Sequence, residues 1–232
     1  MQSNQILVLG SKPGSILPKV KFKKVYTANG AAERSLFYRK INSTVNLTCV
    51  AGSQSFEQDL TSSRIIKSKP NKLIIRFNKI KFSKLFKSKC EVKFMNYKNQ
   101  WIFQKKFFHN ANLSLLMGEL SYKEKFTKKI KRLIKFIFKE NLQGVSTGFF
   151  SILLALHENP NSNIIVCGIG MSGGGHFYKN PRNTIYNYDS RSCVDRYLIN
   201  KLKNKYKLRI FSVDSDFVKI SKTNFFDSNS KI

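Results

Sequence analysis

Short apolar runs closed by turn residues recur along this chain, and a few longer stretches repeat their apolar positions every three to four residues. Gln5 to Leu9 is almost wholly aliphatic and ends in the turn Gly10-Ser-Lys-Pro-Gly-Ser15. Lys24 to Ala28 is a second short run, followed by Asn29-Gly30 and a helical stretch from Ala31 to Tyr38. Further strands are expected at Thr44 to Ala51, Lys72 to Phe77, Glu91 to Met95, Asn163 to Cys167 and Lys207 to Val213. Helices are expected at Ser55 to Leu60, Tyr122 to Glu140, Ser146 to His157 and Val194 to Lys205. Strands interleaved with helices predict an α/β fold: a single Rossmann-like domain over 1–218, its mostly parallel sheet flanked by helices, with a polar tail over 219–232. Ser62 to Ser114 has no clean period, and 62–140 is expected to form an acceptor- or membrane-facing subregion.

One periodic stretch carries its own chemistry. From Tyr122 to Glu140, Phe126, Ile130, Leu133, Ile134, Ile137 and Phe138 recur at helical spacing, while Lys125, Lys128, Lys129, Lys131, Arg132, Lys135 and Lys139 fill the other face. Such a helix either lays its stripe on the core with the lysines in water, or rests on anionic lipid.

Charge widens the question of partners. Lys and Arg number 42 against 13 acidic residues, a formal net charge of +29, which draws polyanions of any class: nucleic acid, acidic polysaccharide or an anionic membrane. Lys, Asn, Ile and Phe are also what an AT-rich genome encodes, so the charge by itself selects none of them. A hydrophobic fraction of 41% with 20 Phe argues for a folded core. Cys49, Cys90, Cys167 and Cys193 are scattered without CxxC spacing, which favours a reducing compartment over a disulfide framework or a zinc site. With neither the start of a signal peptide nor an apolar run of about 18 residues, the expectation is a cytoplasmic protein, peripheral at the inner membrane surface.

The candidate chemistry is anion binding. Ser146-Thr147-Gly148 opens an apolar helix, and a helix start presents unpaired N–H groups and about half a positive charge. After the strand ending at Cys167, the loop Gly168-Ile-Gly-Met-Ser-Gly-Gly-Gly-His176-Phe-Tyr178 lets backbone approach a ligand and brings an imidazole and a phenol to it. Gly168-Ile-Gly170-Met-Ser-Gly173 matches a dinucleotide fingerprint in letters, but such a fingerprint opens a helix, whereas here more glycines and Asn180-Pro181 follow. Asp214-Ser-Asp216 reads as a chance DxD rather than a metal site, and His157 as a capping or core imidazole. His109 lies in the stretch without a clean period.

Ser146-Thr-Gly148 with Leu154-Ala-Leu-His157, then a strand, Gly168 and His176-Phe-Tyr178, resembles the S motif and the following His-Tyr motif of the animal-type sialyltransferases. Val8-Leu-Gly-Ser-Lys-Pro-Gly-Ser15 with Ala28-Asn29-Gly30 is similar to the opening of the bacterial sialyltransferases, and the Asp195 helix with Lys207-Leu-Arg-Ile-Phe211 resembles the family's end. The resemblance covers both ends of the chain and is silent from Gly52 to Glu140. It implies a metal-independent GT-A-variant transferase without a cofactor, moving sialic acid or a related ulosonic acid from a CMP-sugar donor to a glycan or lipid-linked glycan. Carried over, Gly10, Ser11 and Asn29 would meet the nucleotide or sugar; Ser146, Thr147 and Gly148 the CMP beside Gly168; His176 and Tyr178 the departing phosphate. The family's catalytic-base His has no counterpart in Tyr188-Asp-Ser-Arg-Ser-Cys-Val-Asp195, which leaves Asp189 as the candidate base and Cys193 as a weaker one. Two alternatives stay open: a catalytically impaired sialyltransferase-like protein, and a non-enzymatic basic binder of nucleic acid. No zinc-finger, helix-turn-helix or aromatic RNA-binding motif supports a specific nucleic-acid partner.

Overall fold

Every expected strand pairs in parallel with its neighbours in the computed structural model, which describes residues 4–52, 59–76, 90–121, 125–138, 144–171, 176–178 and 188–227. The strands are β1 (Gln5–Leu9), β2 (Lys24–Ala28), β3 (Asn46–Gly52), β4 (Lys72–Arg76), β5 (Glu91–Met95), β6 (Asn163–Cys167), β7 (Ile210–Ser212) and β8 (Asn224–Phe225). They form one sheet in the order β5-β4-β3-β2-β1-β6-β7-β8. The chain builds outward from β1 to β5, then returns to β1's other side and builds outward again. The fold is therefore Rossmann-like, with the order reversing between β1 and β6.

Helices α1 (Ser35–Ile41), α2 (Asp59–Ser68), α3 (Tyr97–Lys105), α4 (Ala111–Leu120), α5 (Phe126–Ile137), α6 (Thr147–Glu158), α7 (Tyr188–Ile199), α8 (Asn204–Lys207) and α9 (Ser215–Ser221) complete the described residues, with a 3-10 turn at Asn29–Arg34. The alternation of strand side chains decides which of two cores each residue enters. Ile6, Val8, Tyr26, Val50, Ile74, Ile164 and Val166 pack with α6, α7, Phe103 of α3, and Phe107 and Phe108 just beyond it. Leu7, Leu9, Val25, Leu47, Cys49, Leu73 and Cys167 face the other way, against Phe22, Tyr38 and Ile65. Burial pushes the Cys49 and Cys167 thiols up to about 12, so both remain protonated fillers of the core.

The stretch that lacked a period holds α3 and α4. The pattern is hidden because Gln100 and Gln104 are buried on the inward side of α3. The Gln100 amide donates to the Met95 carbonyl at 2.8 Å, and Gln104 Oε1 accepts the Val145 N–H at 2.9 Å. Within 62–140, β4 and β5 are strands of the main sheet. Of the helix expected at Ser55 to Leu60, residues 55–58 lie outside the described residues, and Asp59 and Leu60 open α2. The helix expected to run to Lys205 ends at Ile199, because Leu202 leaves it to bridge Phe108. The stretch read as a polar tail from Lys219 continues α9 and adds β8, anchored by the Phe226 N–H donating to the Ser212 carbonyl at 2.9 Å.

Candidate functional site

The strand order reverses between β1 and β6, and open α/β sheets hold ligands in the crevice outside the carboxyl ends of the strands at such a point. Two glycines bring the chain segments beyond these strands together there. The Gly10 N–H donates to the Cys167 carbonyl at 2.8 Å, and the Lys12 N–H to the Gly168 carbonyl at 2.9 Å, so the chains leaving β1 and β6 run against each other. A β-carbon on Gly10 would stand 2.0 Å from the Gly168 oxygen. Gly168 itself lies at φ +74°, a left-handed conformation suited to glycine, and donates its N–H to Asp214 Oδ2 at 2.6 Å.

His176, Phe177 and Tyr178 lie against this crossing. The Phe177 N–H donates to the Ser11 carbonyl at 2.9 Å, and the Ser11 hydroxyl meets His176 Nδ1. The His176 and Tyr178 rings are stacked with centroids 5.2 Å apart. The Tyr178 ring lies on Gly30, where a β-carbon would come within 2.6 Å of it, and its hydroxyl accepts the Gly30 N–H at 3.3 Å. Asn29, at φ +51°, ends β2 and accepts the Gly52 N–H on its side-chain oxygen at 3.2 Å. Gly10, Ser11, Asn29, Gly168, His176 and Tyr178 thus lie along adjoining strand ends.

The start of α6 joins them through one side chain: Ile169 Cδ1 would lie 2.7 Å from a β-carbon on Gly10 and 3.0 Å from one on Gly148. Ser146 is the N-cap, its hydroxyl accepting the Phe149 N–H at 3.2 Å, as expected of serine there. The Ser146 N–H is already held by Asp195 Oδ1 at 2.8 Å, so the first donor foreseen for an anion serves the fold. Helix geometry leaves the N–H groups of Thr147 and Gly148 without intrahelical acceptors. The Thr147 hydroxyl accepts from Arg76 Nη1 at 3.3 Å.

Two arginines escaped the sequence reading. Arg34 donates to the Gly10 carbonyl at 3.2 Å and the Lys12 carbonyl at 2.8 Å, and its guanidinium lies 4.3 Å from the Phe177 ring centroid. Burial draws its proton affinity down, against the pull of Cys167 and Asp214. Arg76 is 1% exposed; it donates to Gln100 Oε1 at 2.9 Å and the Val145 carbonyl at 2.8 Å, below the first turn of α6. The available signal was a cation closing the apolar run Lys72-Leu-Ile-Ile-Arg76, which places it at a strand's carboxyl end. The two guanidinium groups stand at the strand ends together with the carboxylates of Asp214 and Asp195.

Asp189 is in the first turn of α7, its side chain outside the described residues, as are residues 172–175 and 179–187. Asp214 holds Gly168 and Asp216 pairs with Lys12 at 2.7 Å, so both carboxylates of the DxD make protein contacts. His157 is exposed at the opposite end of α6, edge-on to Phe103 at 5.4 Å; it is neither core nor site. His109 is exposed beyond α3. No family model, no curated protein and no solved structure matches this chain.

Proposed function

We propose that the protein is a glycosyltransferase moving an acidic sugar, sialic acid or a related ulosonic acid, from a CMP-activated donor to a glycan hydroxyl. The observation that carries this reading is the convergence of His176 and Tyr178 on the ends of β1 and β2, beside the start of α6. As the bond between the anomeric carbon and the phosphate oxygen breaks, negative charge gathers on CMP. The Thr147 and Gly148 N–H groups, His176 and Tyr178 would stabilise that charge, and the basic surround would favour the anionic donor. The acceptor hydroxyl must lose a proton, and Asp189 is the proposed base.

Support for metal independence comes from Asp214 and Asp216, whose carboxylates hold Gly168 and Lys12. The test is release of CMP, and transfer of the sugar, from a CMP-ulosonic acid with EDTA present. Turnover unaffected by EDTA is expected; turnover lost with EDTA and restored by Mg or Mn would reverse the metal-independent assignment. No CMP release with any ulosonic donor would remove the transferase assignment.

A further inference from the structure

Helix α5 is docked the wrong way round for a soluble surface helix. Phe126, Ile130, Leu133, Ile134 and Ile137, with Phe138 just beyond, are 39% to 75% exposed, and no residue of the helix is buried. An amphipathic helix ordinarily turns such a stripe to the core. Here the half-buried positions are Lys129, Arg132 and Phe136, spaced i, i+3 and i+7 along one face. Arg132 pairs with the fully buried Glu119 at 2.6 Å, and Phe136 lies edge-on to Trp101 at 6.1 Å. At about 100° per residue the apolar stripe is turned well away from that face, with Lys129 along one edge, Lys131 along the other, and Lys128 and Lys135 behind.

We propose that α5 is a docking surface for an anionic membrane, its apolar stripe entering the headgroup boundary and its bordering lysines reaching lipid phosphates. Charge complementarity selects this occupant. A second copy would set two chains of +29 each against one another at their most basic helix. An exposed apolar stripe bordered by lysines on both edges has the form of an interfacial helix, and long lysine stems let the charge stay at headgroup level. Glu119 Oε1 also accepts the Gly144 N–H at 2.6 Å, tying α5 to the loop that leads into α6. The inference stands apart from the transferase reading.

The test uses the full chain and sedimented vesicles, either of phosphatidylcholine alone or of phosphatidylcholine mixed with phosphatidylglycerol. Binding to the mixed vesicles only is expected. The triple variant Ile130→Ser, Leu133→Ser, Ile137→Ser keeps every charge and should bind on the order of tenfold or more weakly while melting like the parent, since these side chains are exposed. Equal recovery on both vesicle types, or undiminished binding by the triple variant, would overturn the proposal. So would a protein that ignores vesicles but forms a dimer that the triple variant abolishes.

Discussion

Gly10→Ala is expected to be the most damaging single methyl addition among the described glycines. The new carbon would lie 2.0 Å from the Gly168 oxygen, 2.5 Å from its carbonyl carbon and 2.7 Å from Ile169 Cδ1. Neither chain can yield cheaply. Gly10 donates to Cys167, Lys12 to Gly168, and Gly168 to the carboxylate of Asp214, all at 2.6 to 2.9 Å. Relief requires parting β1 from β6 where they define the crevice, a cost at the upper end of overpacking, about 3 kcal/mol. In a chain of this length that lowers the melting temperature by about 6 to 12 °C. Gly14→Ala is the control: nothing lies within 4 Å of its added carbon, and only its φ of +73° resists, at about 1 kcal/mol. A Gly10→Ala protein that melts with the parent would show that the strand ends are not so closely apposed.

His176→Ala should lower kcat by about 100-fold to 1000-fold, roughly 2.7 to 4 kcal/mol, with CMP affinity reduced only modestly. The asymmetry follows from what the ring is proposed to do. Its position is fixed by the Ser11 hydroxyl and by stacking on Tyr178, so it is set in place before a donor arrives. A donor fixed in this way acts most on charge that appears as the phosphate departs, and less on the charge already present in the bound nucleotide. The steady-state constants and a separate CMP titration of the folded variant decide it. Parallel loss of kcat and of CMP affinity would make His176 a binding residue; unchanged turnover would remove it from the mechanism. His157→Ala serves as the contrast, since that ring lies at the other end of α6 and should leave turnover intact.

β1, β4 and β6 were legible because each is a short aliphatic run buried on both faces, with no polar interruption to blur it. β1, β2, β4, β5 and β6 begin where the pattern places them. α3 and α4 were not legible: Gln100, Gln104 and Glu119 are buried yet hydrogen-bonded, so polar letters occupy core positions and the period dissolves. α9 was hidden by a run of polar residues around Phe217, the buried anchor of that helix. For the crevice, Gly10, Gly168 and Ser146 could be picked out as turn and cap residues, and His176 by its place at the end of a glycine run. Arg34 and Arg76 could not, because their partners are backbone carbonyls and side chains distant in sequence. The stripe of α5 shows the reverse limit: its period announced a helix, but which side faces the body depends on Glu119 and Trp101, residues of two other helices.

The account rests most directly on the crevice being a site for a single nucleotide phosphate, and a thermal-melt titration with CMP, UDP and NAD measures that. CMP is expected to raise the melting temperature and the other two to leave it in place. Saturation at about 100 times Kd would contribute about 2.7 kcal/mol, a shift of several degrees. No shift with millimolar CMP, or an equal shift with all three, would contradict the account.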